Sequence, residues 1–113
     1  MIRYLEPLFT TEKTDGKVEK VKRSFQNGAG LINLYLITIA SNEADVFDII
    51  PVPLLKQRAF RHRDYDVIGL AEDQTAAFGL VQRIHEEYYK AFHSYTGIRA
   101  WLLEKLAEQE QKA

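Results

Sequence analysis

The ten-residue run LINLYLITIA, residues 31–40, constrains the fold more than any other stretch of the 113-residue chain. It is rich in β-branched and aromatic residues and has a full strand length. Alternate side chains of a strand point to opposite faces, and both faces of this one are mostly apolar, with Asn33 on one and Thr38 on the other. A strand with one wet face would alternate apolar and polar residues. We therefore expect a central strand whose two faces are covered by helices or by a second subunit.

A hairpin is expected to follow this strand. The polar turn SNEAD, residues 41–45, is typical of a hairpin connection, so VFDIIPV at 46–52 is predicted to be the antiparallel partner. Pro51 and Pro53 end that strand. Because proline has no amide hydrogen to give to a sheet ladder, both favour an edge position.

A third strand is predicted for YDVIGLA, residues 65–71, where Gly69 indicates close packing or a bulge. The turn that follows has no glycine-rich phosphate motif and carries Glu72 and Asp73, which disfavours a nucleotide site. Pro7 argues against a helix in residues 1–10, which are expected to be a short extended arm.

Three helices are predicted from apolar periodicity and capping residues. The first covers residues 12–26, with Thr11 or Asp15 as its cap. A long helix covers 74–94 after the cap Asp73, and a last helix covers 97–109 after Thr96. Residues 54–61 are expected to form one or two helical turns, and the tail EQEQKA is expected to fray. The apolar stripe of the last helix is predicted to be Ile98, Trp101, Leu102 and Leu106.

These elements predict an α+β fold in one domain, residues 1–113. A small three-stranded, mainly antiparallel sheet is expected at about 31–40, 46–52 and 65–71, with the helices 12–26, 74–94 and 97–109 packed on it. So small a sheet with a doubly apolar strand favours a homodimer, since closed symmetric pairs are the commonest assembly.

Composition excludes several function classes. The chain has no cysteine, which rules out disulfides, thiolate metal sites and a cysteine nucleophile. Its net charge of −1 gives no global field toward nucleic acid or an anionic membrane. The N-terminus does not resemble a signal peptide, and the longest apolar run is too short for a membrane helix. We expect a cytoplasmic protein with no cofactor and no metal.

The densest group of reactive side chains is HEEYYKAFH, residues 85–93. The zinc motif that it resembles needs histidines four residues apart, but the residue four after His85 is Tyr89, and His93 lies about 12 Å along the helix. A border site at His85 and Tyr89 remains a candidate and would need a partner from elsewhere. The core face of this helix is predicted to contain Ala77, Leu80, Val81, Ile84, Tyr88, Ala91, Phe92 and Tyr95.

A second candidate is the basic segment KQRAFRHRDY, residues 56–65, in which Arg58, Arg61, His62 and Arg63 are interleaved with aromatic residues. Basic and aromatic side chains together can grip phosphates and stack on bases. No nucleic-acid-binding motif accompanies them. A solvated connection whose arginines pair with carboxylates is the simpler interpretation.

The sequence does not determine a function, and three hypotheses stay open. The leading one is a protein-interaction or assembly module, acting through an exposed sheet face, the edge strand 46–52 or the last helix with Trp101. The second is an anion- or nucleic-acid-binding module at the basic segment, although nucleic acid is an unlikely partner. The third is a small enzyme or ligand-binding domain around His85, Tyr89 and Asp48, with an enzyme less favoured than a binding protein.

Overall fold

The computed structural model describes residues 2–26, 33–42, 45–57, 60 and 63–112, and within them it shows an α+β fold on a four-stranded mixed sheet. The strands lie in the order β1-β4-β2-β3. Their bounds are β1 Ile2–Thr10, β2 Tyr35–Ile39, β3 Phe47–Pro51 and β4 Tyr65–Ala71. The helices are α1 Val18–Gln26, α2 Gln74–Phe92 and α3 Ile98–Gln111, with short 3-10 helices at Asp15–Lys17 and Val52–Lys56.

The prediction of a central strand is confirmed for β2, although the strand is shorter than 31–40, and residues 31–32 lie outside the described residues. β2 pairs antiparallel with β3 on one side and with β4 on the other. Leu36 and Ile37, on its opposite faces, are 1% and 0% exposed. Because the chain's own helices cover both faces, the apolar pattern needs no second subunit, and it no longer supports a homodimer by itself.

Two helical layers enclose the sheet. On one face α1 and the second 3-10 helix pack on the sheet through apolar side chains that include Val21, Leu55 and Leu70. On the other face α2 and α3 do so through Ile84 and Leu102, among others. Burying apolar surface on both faces is what stabilises so small a sheet.

The N-terminal segment is extended, as predicted, but it is not an arm, because Ile2–Thr10 form the edge strand β1. It runs parallel to β4, from the pair Ile2–Tyr65 to the pair Thr10–Leu70. The sheet therefore has four strands and mixed direction, not three mainly antiparallel ones. Pro7 follows a cis peptide bond within a bulge between Tyr4 and Phe9. A proline there costs no ladder hydrogen bond, so it excludes a helix without excluding a strand.

Gly69 has both of its predicted roles. The pairing of β2 with β4 shifts next to it, which leaves Ile68 as the extra residue of a bulge. A Cβ atom added at Gly69 would lie 3.0 Å from the carbonyl oxygen of Phe9 and 3.2 Å from the Leu80 side chain. Glycine thus lets β1 and α2 approach β4 closely.

The first helix differs from its predicted start. Residues 15–17 form a 3-10 helix and α1 begins at Val18. The reason is Thr14, which is fully buried and does not cap the helix. Its hydroxyl donates to the carbonyl of Leu70 at 2.8 Å and accepts from the amide of Thr11 at 2.9 Å. The chain is therefore tied to β4 at the position where the periodicity predicts a first helical turn.

The other helices lie close to their predicted positions. Asp73 caps α2, accepting from the amide of Ala76 at 2.7 Å. α3 begins after Gly97, whose φ of 91° favours glycine, and not after a Thr96 cap. The helical turns predicted for residues 54–61 begin earlier, at Val52–Lys56, and residues 58, 59 and 61 lie outside the described residues. In the described part of the chain, no helix is both long enough and apolar enough to span a membrane.

Candidate interaction surface at the sheet edge

Arg58, Arg61 and His62 of the basic segment lie outside the described residues. Arg63 is exposed and lies over the ring of Phe60, 5.1 Å from its centroid. It borders a cleft of about 480 Å³ that Asp48 and Asp66 also line. These carboxylates make the cleft a poor place for an anion.

His85 and Tyr89 both lie on α2, but each makes its own ring contact. The half-buried His85 ring meets Phe47 of β3 edge-on, with centroids 5.6 Å apart. Tyr89 stacks on Tyr95 at 4.6 Å and touches His93 at 5.8 Å. No group of three His, Asp or Glu side chains in the described ranges could hold a metal ion. The two side chains therefore belong to an aromatic surface, and in the described part of the chain no hydrogen bond links them to each other.

The predicted core face of α2 ends earlier than expected. Tyr88 is buried and donates its hydroxyl to the carbonyl of Thr96 at 2.6 Å. Phe92 and Tyr95, predicted to be core, are 53% and 65% exposed, and Ala91 is exposed as well. The reason is length: 19 helical residues span about 28 Å, whereas the five residues of β2 span about 17 Å. The last turn of α2 extends past the sheet.

Exposed and half-buried rings form what we call the aromatic stripe: Phe78, His85, Tyr89, Phe92 and Tyr95. The first four are spaced seven, four and three residues apart, which places them on one flank of α2. Phe78 is 58% exposed and Tyr89 40%. The stripe contains no Asp, Glu, Lys or Arg. The charged residues of α2 lie elsewhere on the helix, and Arg83 and Glu87 line a cleft against β1 and α3 on its opposite flank.

The aromatic stripe meets β3, the last strand of the sheet, through the ring contact of His85 with Phe47. Hydrogen bonds from Ala40 to Val46 and from Val52 to Leu34 flank the pairing of β2 with β3. Since antiparallel pairs alternate between bonded and non-bonded positions, residues 46, 48, 50 and 52 bond toward β2. The backbone of Phe47, Ile49 and Pro51 therefore faces away from the sheet. Within the described ranges β3 has no further strand beside it, as the prolines predicted for an edge strand.

The other edge of the sheet, at β1, is closed by α3. Gln109 donates its side-chain amide to the carbonyl of Tyr4 at 2.7 Å and accepts from the amide of Glu6 at 2.8 Å. Arg3 binds Asp66 at 2.7 Å and Glu110 at 2.9 Å. These carboxylates raise the pKa of the Arg3 guanidinium. The tail predicted to fray thus holds β1, and the two edges of the sheet differ.

Sequence reasoning identified the edge strand but not the surface beside it. The signal for the aromatic stripe was present in the spacing of Phe78, His85 and Tyr89. It was missed because Phe92 and Tyr95 were counted as core, which a helical wheel alone cannot correct. Trp101, predicted to belong to the apolar stripe of the last helix, is half-buried there and packs against Tyr88 at 5.3 Å between ring centroids.

Comparison of the chain with protein-family models, with curated proteins and with solved structures found no match. A proposal for the function therefore rests on the fold and on the surface at the β3 edge.

Proposed function

We propose that this chain is a protein-interaction module that binds an extended polypeptide segment along the open edge of β3. One observation carries the proposal: the edge strand with outward-facing amides lies next to a long, uncharged aromatic surface. Unpaired strand edges readily pair with another chain, and folded proteins usually block them. Here Gln109 blocks β1, whereas the described residues place no comparable group on β3.

The geometry fits strand addition, in which an extended segment pairs with a sheet edge. An added strand would lie about 4.8 Å beyond β3. It would accept hydrogen bonds from the amides of Phe47 and Ile49. Alternate side chains of that strand would rise on the α2 side, toward Phe78, His85 and Tyr89. Backbone bonds supply affinity in this mode, and the wall of side chains supplies specificity.

The chemistry of the wall limits the ligand. Since the aromatic stripe contains no Asp, Glu, Lys or Arg, a charged side chain facing it would lose hydration without gaining a partner. Apolar residues at alternate positions would bury ring surface on both sides, at about 25 cal/mol per Å². We therefore expect ligands with an alternating pattern whose inward residues are aliphatic or aromatic.

A peptide selection tests the proposal. Random 12-residue peptides are selected for binding to the chain, and their affinities are then measured against Phe78→Glu and Lys90→Glu. Phe78 is largely exposed, so the first change should leave the fold intact. Selected peptides should bind Phe78→Glu about tenfold more weakly or worse. Lys90→Glu, on another side of the same helix, should bind as the parent does. Ligands that tolerate Phe78→Glu would contradict the proposal.

A further inference from the structure

We infer that the open edge binds β3 of a second copy of this chain, antiparallel about a two-fold axis at Ile49. The inference rests on the proposed function and names the partner of that site. The resulting sheet would be continuous across two copies, and the interface would be isologous, as in most symmetric dimers. The inference comes from the hydrogen-bonding groups and charges of β3 itself.

The free donors of β3 restrict the register. Only Phe47 and Ile49 present outward amide hydrogens, since Pro51 has none. An axis at Phe47 would pair Ile49 with Asp45, which lies outside β3 and whose amide and carbonyl already bond to Asn42 at 2.9 Å and to Arg99 at 3.3 Å. An axis at Ile50 or Pro51 would leave the donor at Phe47 unused. Two registers remain that use both donors of both copies, with axes at Asp48 and at Ile49.

Charge decides between these two registers. An axis at Asp48 would place that carboxylate directly opposite its own copy, and like charges directly opposite each other destabilise a strand pair. An axis at Ile49 places Asp48 opposite Ile50 instead. The two Ile49 residues would then exchange two hydrogen bonds, and each Phe47 amide would donate to the Pro51 carbonyl of the other copy.

The side chains agree with this arrangement. Phe47, Ile49 and Pro51 share the face of the sheet that carries α2, where Phe47 and Ile49 pack around the buried core. In the dimer these three uncharged residues of each copy would form one apolar floor between the two aromatic stripes. The β3 sequence FDIIP therefore has the alternating pattern expected of the ligand, because its charged residue, Asp48, points to the other face of the sheet.

Single cysteines test the register directly, because the chain has none of its own. Ile49→Cys would place two sulfurs across a hydrogen-bonded pair, with Cα atoms about 5.5 Å apart, which a disulfide can span. Asp48→Cys would place them at diagonal positions about 7–8 Å apart, which it cannot span readily. Lys90→Cys, on the far side of α2, controls for random collision. Mild oxidation should cross-link Ile49→Cys at least about tenfold faster than the other two.

Self-association is measured on the unmodified chain alongside. Sedimentation velocity should show a species of twice 13.1 kDa at high micromolar concentration. Ile49→Pro removes a donor that the chain itself does not use, and it should weaken association about tenfold or more. Thermal unfolding of each variant checks that it folds. Phe78→Glu, which leaves β3 untouched, should weaken self-association as well.

The outcomes separate the two proposals. A monomer at all concentrations, or faster cross-linking of Asp48→Cys than of Ile49→Cys, overturns the second-copy inference. If selected peptides still depend on Phe78 in that case, the interaction surface stands and only its occupant was misidentified. A dimer that tolerates Ile49→Pro and Phe78→Glu also overturns the inference. A monomer whose selected peptides ignore Phe78 overturns both proposals.

Discussion

Replacing Gln109 with alanine tests whether α3 closes the β1 edge. The change removes two hydrogen bonds to the backbone of β1, at 2.7 Å to the carbonyl of Tyr4 and at 2.8 Å from the amide of Glu6. Each is worth about 0.5–1.5 kcal/mol net. Alanine has a slightly higher helix propensity, by a few tenths of a kcal/mol. We expect the free energy of unfolding to fall by about 1–2 kcal/mol.

The expected change in melting temperature follows from the size of the chain. At about 2.1 cal/mol/K per residue, 113 residues give an unfolding entropy of about 0.24 kcal/mol/K. The melting temperature of Gln109→Ala should therefore fall by about 4–8 °C. Urea unfolding followed by circular dichroism gives the free energy independently. Gln109→Glu should lose at least as much, since its carboxylate can accept from the Glu6 amide but puts a second acceptor, not a donor, against the Tyr4 carbonyl.

Gln111→Ala is the matched control, because Gln111 is exposed and lies only two residues further along the same helix, on another side of it. It should change the free energy of unfolding by less than about 0.5 kcal/mol. If Gln109→Ala and Gln111→Ala are equally stable, the Gln109 side chain does not stabilise β1. The claim that α3 closes the β1 edge would then be wrong.

Three further predictions concern the core and the strands. Thr14→Val removes the buried hydroxyl that donates to β4 at 2.8 Å, and leaving its partners unsatisfied should cost about 1–3 kcal/mol in urea unfolding; an unchanged midpoint would mean that this loop is not tied there. Gly69→Ala should lower the free energy of unfolding by about 1–3 kcal/mol, because the new Cβ meets the Phe9 carbonyl at 3.0 Å. Gly79→Ala, in a helix with nothing within 4 Å, should raise it by about 0.4–1 kcal/mol. Equal effects of the two changes would refute the close approach at Gly69. Burial raises the pKa of Tyr4 to about 12, above its value of about 10 in the unfolded chain. The stability that the neutral Tyr4 side chain contributes is therefore complete below a pH of about 10 and is lost as the pH rises toward 12. Tyr4→Phe should show a smaller alkaline loss of stability than the parent, and an identical pH profile would contradict the assignment.

The sequence predicted the parts of the fold that depend on local pattern. β2 was identified because its alternating faces are both apolar, and β3 was placed at an edge by Pro51 and Pro53. The N-cap at Asp73 was also predictable, since the capping residue immediately precedes its helix. Each of these features involves residues within a few positions of one another.

The features that sequence reasoning missed depend on distant partners. β1 pairs with β4 across 63 positions, from Ile2 to Tyr65. No local pattern around Pro7 predicts that pairing. Gln109 bonds to Tyr4 across 105 positions. The exposure of Phe92 follows from the lengths of α2 and β2 together. Apolar periodicity identifies the face of a helix but not where the sheet beneath it ends.

Residue-resolved amide hydrogen exchange, measured at several protein concentrations, tests the central claim most directly. In dilute protein the amides of Phe47 and Ile49 should exchange fast, while that of Glu6, bound by Gln109, is slowed. At high concentration, or with a selected peptide, Phe47 and Ile49 should become protected together, while the exchange of Glu6 stays unchanged. Protection of Phe47 and Ile49 even in dilute protein would show that the edge is already covered, and fast exchange under every condition would show that nothing binds there. Either result would contradict the account.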